Sequence, residues 1–228
     1  MIRCVICDVY RTILRVGPAR PEAVRFWSSA WRETFPERAA PDLPSLDDRC
    51  RELVAEDHAA AIACGVSFPE VQWPSILAKA LASGPLTADF VYKHAQAIRS
   101  VALEPGFVDF ASECCESGVV LGIVSNAQAY TLRELDDALA GAHTVLFASD
   151  LSFWSFQNGF SKPSPFVFRW LTARLAQRGI GPEEAIVVGD RLDNDIEPAQ
   201  AAGMQTWHYR PSEKAGWPEL HAWLRGMV

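Results

Sequence analysis

Residues 185–196 have the sequence AIVVGDRLDNDI, in which a short apolar run ends at Gly189 and three acids follow within six residues. Three other apolar runs end in the same way: residues 2–7 precede Asp8, residues 119–124 precede Ser125, and residues 144–148 precede Ser149 and Asp150. Runs of this length that are apolar throughout are typical of strands buried on both faces of a parallel sheet. These four runs therefore decide the predicted fold class.

Helical patterns separate most of these runs, and they cover residues 106–117, 128–140, 165–178 and 197–202. Strands that alternate with helices predict an α/β fold, with a Rossmann-like parallel sheet, helices on both faces and right-handed crossovers. Ligands of such sheets bind beyond the carboxyl ends of the strands. We therefore expect Asp8, Ser125 and Asp190 to lie at one edge of the sheet.

The stretch from residue 16 to residue 99 differs from the rest of the chain, because it has no clear buried-strand run and prolines punctuate it. Its helical patterns cover residues 22–34, 46–64, 71–82 and 88–101. We interpret this stretch as a helical insert. The predicted organisation is a core domain formed by residues 1–15 and 100–228, with a second, helical domain at 16–99.

The composition is that of an ordinary globular protein. The 228 residues carry a formal net charge of −7, and hydrophobic residues make up 49% of them. This acidic balance argues against nucleic acid as the main partner, and no apolar run approaches the roughly 18 residues of a membrane span. The first residues also lack the pattern of a signal peptide. We therefore expect a cytoplasmic protein that does not bind membranes.

Cys4 and Cys7 form a C-x-x-C sequence inside the first predicted strand. A separation of three residues puts their side chains on opposite faces of that strand. A redox or zinc pair needs the two thiols together, so we expect two small buried side chains instead.

Four short segments carry the chemistry: residues 8–14 (DVYRTIL), 124–126 (VSN), 161–165 (SKPSP) and 188–196 (VGDRLDNDI). In this order and in these contexts, they resemble the motifs of the haloacid dehalogenase-like (HAD) hydrolase superfamily. The resemblance covers about residues 1–15 and 100–210. The helical insert resembles the cap domain that this family carries between its first two motifs.

The resemblance implies a role for each motif, and the residue types agree with those roles. A carboxylate at a strand end, here Asp8, can attack phosphorus or carbon and form a covalent intermediate. Lys162 can neutralise the negative charge of nucleophile and substrate. The expected catalytic residues are Asp8, Ser125 and Lys162, and the expected substrate-binding residues are Arg11, Thr12, Ser125, Asn126 and Lys162.

Asp190 and Asp195 are the residue types that organise Mg²⁺, which takes oxygen ligands. The resemblance adds Asp8 and the backbone carbonyl of Tyr10 to the expected metal ligands. Asp193 is either a further candidate ligand or an exposed turn residue. The expected cofactor is therefore Mg²⁺.

Two departures from the family pattern point in opposite directions. Phosphatases of the family have a second Asp two residues after the nucleophile, which protonates the leaving alcohol. This chain has Tyr10 there, which resembles the 2-haloacid dehalogenase branch. That branch uses no metal and has Ser and Asn near positions 190 and 192, where this chain has Asp190 and Leu192. Phe168 also replaces a tyrosine that the dehalogenase branch carries.

Arg11 is a third departure, because the family has Gly at this position. An arginine beside the nucleophile can clamp a phosphate or a carboxylate, or it can point to solvent or block the site.

We predict a Mg²⁺-dependent phosphatase that acts on a small phosphorylated metabolite through an aspartyl-phosphate intermediate, as a monomer or a homodimer. Two alternatives stay open. Tyr10 favours a 2-haloacid dehalogenase. Tyr10 together with Arg11 favours a catalytically silent fold that binds a phosphate ligand or a partner protein.

Overall fold

A parallel sheet of five strands positions the motifs. The computed structural model describes residues 1–226. Its strands are β1 Cys4–Cys7, β2 Leu14–Pro18, β3 Arg99–Leu103, β4 Val120–Ser125, β5 Phe147–Trp154, β6 Ala185–Gly189 and β7 Gln205–His208. The main sheet has the order β5-β4-β1-β6-β7, and its neighbouring strands all run parallel. The first-motif strand β1 is thus the central strand.

Helices cover both faces of this sheet. The α-helices are α1 Pro21–Thr34, α2 Leu43–Ala63, α3 Trp73–Ala80, α4 Ala88–Ile98, α5 Phe107–Glu116, α6 Ala129–Ala138, α7 His143–Leu146, α8 Ser155–Asn158, α9 Pro165–Gln177, α10 Glu197–Ala201 and α11 Trp217–Arg225. One core cluster joins one face of the sheet to α5, α6 and α11, and a second joins the other face to α9 and α10. The predicted α/β class is confirmed.

The central strand shows why its sequence is apolar throughout. Val5 and Cys7 pack into the first core cluster, whereas Cys4 and Ile6 pack into the second. All four side chains are fully buried. Cys4 and Cys7 therefore lie on opposite faces of the sheet, as their spacing predicts, and neither forms a disulfide.

Helices α1 to α4 occupy the predicted insert and have a core of their own. Aromatic side chains dominate this core, with Trp27, Trp31 and Phe90 almost fully buried. The amphipathic patterns of α1 and α4 predict this packing, since each helix turns one apolar face inward. The division into two domains stays a prediction.

Strands β2 and β3 correct the sequence interpretation of both ends of the insert. They form an antiparallel pair in which Leu14 lies opposite Leu103 and Pro18 lies opposite Arg99. The helix expected over 88–101 therefore ends at Ile98. A search for continuous apolar runs does not detect these strands, because most of their side chains are only half-buried or exposed.

The run at 144–148 is also corrected. Residues 143–146 form the short helix α7, and the strand extends from Phe147 to Trp154. Apolar runs this short do not separate strand from helix by periodicity alone.

Within residues 1–226, no helix combines the length and the apolar character needed to cross a bilayer.

Candidate active site

The first, second and fourth motifs meet at the carboxyl edge of the sheet. Asp8 follows β1 directly, Ser125 is the last residue of β4, and Asp190 follows β6. Because β4 and β6 are the two neighbours of β1, the ends of three adjacent strands deliver these residues to one place. The sheet order thus explains why residues more than 100 positions apart share a site.

Three carboxylates form a tight group at this edge. Oxygen atoms of Asp8, Asp190 and Asp195 all lie within 4.8 Å of one another. Asp8 and Asp195 are buried, with exposed fractions of 7% and 1%. Carboxylates at such distances repel one another strongly in a buried environment unless cations stand between them.

Lys162 supplies one such cation. Its ammonium group donates hydrogen bonds to Oδ1 of Asp8 at 2.7 Å and to Oδ1 of Asp195 at 2.5 Å. The side chain is itself buried. Within residues 1–226, Oδ2 of Asp8 accepts no hydrogen bond, so one oxygen of this carboxylate stays free beside the ion pair.

Burial shapes the protonation of the group. It raises the pKa of Asp8 to about 6, Lys162 opposes that rise, and the negative charges of Asp195 and Asp190 add to it. The pKa of Asp190 is raised by burial and by Asp195, while Arg11 and Lys162 oppose the rise. Burial lowers the pKa of Lys162, but the two facing carboxylates outweigh it and the net shift is upward. Lys162 therefore stays charged.

Gly189 makes room for the Asp195 carboxyl group. A Cβ atom at Gly189 would lie 2.4 Å from the carboxyl carbon of Asp195. The chain continues into a π-helical turn over Leu192–Ile196, a form often found at functional sites. The backbone N–H of Arg191 donates to Oδ2 of Asp195 at 3.0 Å. The close approach and this bond together fix the position of the carboxylate.

Asn126 holds the loop that carries Lys162. Its side-chain amide donates to the backbone carbonyl of Lys162 at 2.9 Å and accepts from the backbone N–H of Lys162 at 2.7 Å. Asn126 also lines the cavity at the site. The predicted second and third motifs are thus linked directly, and the structure adds a positioning contact to the substrate-binding role expected of Asn126.

The remaining predicted residues lie at different depths. Ser125 and Thr12 are fully buried, and the hydroxyl group of each has no hydrogen-bond partner within residues 1–226. Arg11 is exposed and lines the cavity. Asp193 is absent from the carboxylate group and instead forms a bidentate ion pair with Arg191. The structure therefore favours the exposed-turn interpretation of Asp193.

The hydroxyl group of Tyr10 belongs to a polar cluster that the sequence does not reveal. It donates to the buried carboxylate of Glu134 at 2.5 Å. Since a phenol has one proton, its other two partners must donate to it: the hydroxyl group of Thr131 at 2.7 Å and Nη2 of Arg99 at 2.8 Å. Burial and the Glu134 charge raise the pKa of Tyr10 well above its usual range, so the phenol stays protonated.

Arg99 completes this cluster. It forms an ion pair with Glu134 at 3.0 Å, and its guanidinium carbon lies 4.4 Å from the centre of the Tyr10 ring. Arg99 begins β3, and Glu134 lies on α6. The cluster therefore joins the first-motif loop to α6 and to the point where the chain returns from the helical insert.

A cavity of about 440 Å³ opens onto the carboxylates, which is a suitable volume for a small molecule. Its lining includes Tyr10, Arg11, Arg99, Tyr130, Lys162 and Arg191 besides the three aspartates. The cavity thus joins the acidic group to a set of cationic and aromatic side chains.

Comparison with known proteins agrees with this geometry. Residues 159–212, which contain Lys162, Asp190 and Asp195, match a family model described as HAD-hydrolase-like. The chain belongs to the haloacid dehalogenase-like superfamily. The predicted family resemblance is thereby confirmed, and the matched residues contain the third and fourth motifs.

Two curated relatives of this HAD-family chain are phosphatases. The glyceraldehyde 3-phosphate phosphatase of Methanopyrus kandleri is 50% identical over 52 residues, which cover 23% of this chain and 21% of the relative. The phosphoserine phosphatase of Thermus thermophilus is 32% identical over 126 residues, which cover 54% and 48%. The chain thus spans about half or less of the length of these relatives.

A solved HAD structure covers more of the chain at lower identity. The 2-haloacid dehalogenase of Pseudomonas syringae superposes with a TM-score of 0.60 over 93% of this chain and 88% of that protein, at 22% identity. This likeness concerns the fold.

The sequence interpretation of this HAD-family site misses Glu134, Arg99 and Thr131. Glu134 lies on the buried face of α6, between Thr131 and Leu135, which are both buried. A charged residue at an apolar helix position is a detectable signal, because acids are rarely fully buried without a partner. The identity of that partner is not detectable in the same way.

Proposed function

We propose that this chain is a Mg²⁺-dependent phosphatase of small phosphate esters, with Asp8 as the nucleophile. The observation that carries this proposal is the buried carboxylate of Asp8, which keeps one oxygen free while Lys162 holds the other at 2.7 Å. A nucleophile needs such an available oxygen, and a negatively charged substrate needs a neighbouring cation.

The donor set suits a magnesium ion. Asp8, Asp190 and Asp195 offer hard oxygen ligands within 4.8 Å of one another, and Mg²⁺ binds through a few carboxylates while it keeps several waters. We propose these three residues, with the backbone carbonyl of Tyr10, as its ligands. When bound, the ion would offset the negative charge of the phosphoryl group and of the clustered acids.

The proposed reaction has two steps on Asp8. The free carboxylate oxygen attacks phosphorus, a P–O bond forms to Asp8, and the bond to the leaving alcohol oxygen breaks. Water then attacks the aspartyl phosphate, which releases inorganic phosphate and restores the carboxylate. Throughout both steps, Lys162 balances charge on Asp8 and on the phosphoryl oxygens.

Ser125 fits the role of a phosphoryl ligand. Its buried hydroxyl group has no partner within residues 1–226, and buried polar groups in native proteins are almost always hydrogen-bonded. A phosphoryl oxygen would supply the missing partner. Thr12, whose buried hydroxyl group also has no partner within residues 1–226, is a second proposed substrate contact.

The leaving alcohol receives no proton from residue 10 in this proposal. The Tyr10 proton is engaged by Glu134, so water must protonate the departing oxygen. This favours substrates whose alcohol leaves as a stable anion, such as aryl esters, or acyl phosphates. We further propose that residues 16–99 act as the cap that selects the substrate.

A direct test measures hydrolysis of p-nitrophenyl phosphate by the full chain with Mg²⁺ and with excess EDTA. We expect turnover that chelation abolishes. Asp8→Asn should reduce kcat by roughly a thousandfold or more while the protein stays folded. Asp190→Asn should abolish Mg²⁺ affinity and turnover, whereas the control Asp193→Asn should retain both, because Asp193 pairs with Arg191 outside the carboxylate group.

Three outcomes would contradict the proposal. Full phosphatase activity in EDTA would exclude the metal dependence. Release of chloride from 2-chloropropionate without any phosphatase activity would favour a 2-haloacid dehalogenase, the second candidate, which the tyrosine at position 10 favours. Metal binding with no turnover of either substrate would instead favour a catalytically silent binding protein.

A further inference from the structure

Four positively charged side chains line the cavity, and protein carboxylates neutralise three of them. Lys162 pairs with Asp8 and Asp195. The other two pairs are Arg99 with Glu134 and Arg191 with Asp193. Arg11 is the exception, since its guanidinium group makes neither an ion pair nor a hydrogen bond in the part of the chain that the structure describes.

The backbone at Arg11 does not favour a side chain of this kind. Its φ angle is 61°, which lies in the left-handed region that glycine adopts without steric cost. The loop nevertheless fixes this conformation: the N–H of Arg11 donates to the carbonyl of Leu14 at 2.6 Å, and the N–H groups of Ile13 and Leu14 both donate to Val9. Strain of this kind concentrates at functional sites. The long cationic side chain therefore serves something other than the turn.

The position of Arg11 separates its role from that of Lys162. Lys162 is 4% exposed and lies against the nucleophile, whereas Arg11 is exposed where the cavity meets solvent. The guanidinium group still belongs to the site, because Arg11 and Asp190 line the same cavity. One cavity thus presents two cations at different depths.

We infer that the preferred substrate carries a second anionic group on its leaving alcohol, a carboxylate or a second phosphate, and that Arg11 binds this group. The inference rests on the proposed phosphatase function. A phosphoryl group held at Lys162 leaves the alcohol portion directed outward through the cavity. A guanidinium group at the opening can bind a planar or tetrahedral anion through two parallel hydrogen bonds. Arg11 is then a specificity-determining residue.

Matched aryl esters test this inference with little interference from the missing general acid. We would compare kcat/KM for 3- and 4-carboxyphenyl phosphate with that for the corresponding carbamoylphenyl phosphates, which have similar shape but no second charge. We expect the wild type to prefer at least one charged isomer by about tenfold to a hundredfold, mainly through KM. A parallel measurement with 1,4-phenylene bisphosphate distinguishes a phosphate-binding site from a carboxylate-binding one.

Substitutions then assign the preference to Arg11. Arg11→Gly suits a φ of 61°. It should bring the ratio of kcat/KM for the carboxyphenyl ester to that for the carbamoylphenyl ester to about one, whatever the absolute rates. Arg11→Asn, which also tolerates this region, is the second variant, and Arg11→Lys should keep part of the ratio. Arg15→Gln removes an exposed positive charge nearby in the chain and should leave the ratio as it is.

A binding measurement keeps the inference separate from the proposed reaction. Calorimetry with the Asp8→Asn variant gives the affinity for each ester without turnover, in the presence and absence of Arg11→Gly. No hydrolysis of any aryl phosphate by the wild type would contradict the phosphatase proposal, while the affinities would still test Arg11. Equal affinities for charged and uncharged esters, or a preference that survives Arg11→Gly, would overturn the inference.

Discussion

Tyr10 and Glu134 lie 124 positions apart, and the phenol of one donates a 2.5 Å hydrogen bond to the buried carboxylate of the other. Tyr10 stands where a phosphatase of this family would have its general acid. Its hydroxyl group is instead committed to a cluster with Glu134, Thr131 and Arg99. The side chain at this position therefore links the first-motif loop to α6 and to the start of β3, where a general acid would donate a proton.

Tyr10→Phe should therefore lower the stability of the fold. It removes a hydrogen bond to a buried charged group, and bonds of that type contribute roughly 1.5–3 kcal/mol. Glu134 keeps Arg99 and Gln96 as partners, so we expect a loss of about 2 kcal/mol in the free energy of unfolding, measured by urea denaturation. Tyr92→Phe is the control, because Tyr92 bonds Asp137 in an exposed pair, and it should cost about 0.5 kcal/mol or less. Equal effects of the two substitutions would contradict this account.

The wild type should hydrolyse aryl and acyl phosphates slowly and simple alkyl phosphates much more slowly. General acid catalysis contributes roughly a hundredfold to ten-thousandfold when the leaving group is poor. Tyr10→Asp should narrow the gap by raising kcat/KM for the alkyl ester most. Tyr10→Asn is the matched control, since it loses the same ring and gains no acid, and both variants need a check of folding. If the wild type treats both ester types alike, another residue supplies the proton.

Gly189→Ala should disturb the site through Asp195. The added Cβ would lie 2.4 Å from the Asp195 carboxyl carbon, so the carboxylate or the strand end must move. We expect a loss of about 1–3 kcal/mol in stability and at least about a tenfold loss of kcat, since small misplacements of site groups are costly. Gly84→Ala is the control, because a Cβ there meets nothing within 4 Å. Unchanged kinetics in Gly189→Ala would mean that Asp195 tolerates displacement.

His94 should make the stability sensitive to acid. It is fully buried beside Trp27 and Trp73, and neither ring nitrogen has a hydrogen-bond partner within residues 1–226. Burial lowers its pKa to about 4, whereas the unfolded chain has the ordinary value of about 6.5. Below that value the unfolded state binds a proton that the folded state does not, so stability falls as the pH drops from about 6.5 to 4.

The comparison that isolates this effect uses His94→Leu. Denaturation of wild type and variant at pH 7, 5.5 and 4.5 cancels the titration of carboxylates that both share. We expect the wild type to lose up to about 3 kcal/mol more than the variant over this interval. Parallel loss in the two proteins would show that His94 is already protonated, or solvated, in the folded state.

Much of the fold is predictable from local patterns in the sequence. The runs at β1, β4 and β6 are apolar on both faces, so a parallel sheet covered by helices is the arrangement that buries them. Strands β2 and β3 are not predictable in this way, because most of their residues are half-buried or exposed and do not form a continuous apolar run. Their pairing depends on contacts between residues about 85 positions apart, such as Leu14 with Leu103.

The candidate site also combines features that the sequence predicts with features that it does not. Asp8, Ser125 and Asp190 are predictable from sequence because a parallel sheet brings the carboxyl ends of its strands to one edge. Three other features are not predictable in this way: the hydrogen bond of Tyr10 to Glu134, the space that Gly189 leaves for Asp195, and the guanidinium group of Arg11, which has no ion-pair partner within residues 1–226. Each depends on which side chains meet across distant segments, and no periodicity along the chain encodes that. Strand order and side-chain packing, which exist only in the folded molecule, therefore decide what the residues around the proposed nucleophile can do.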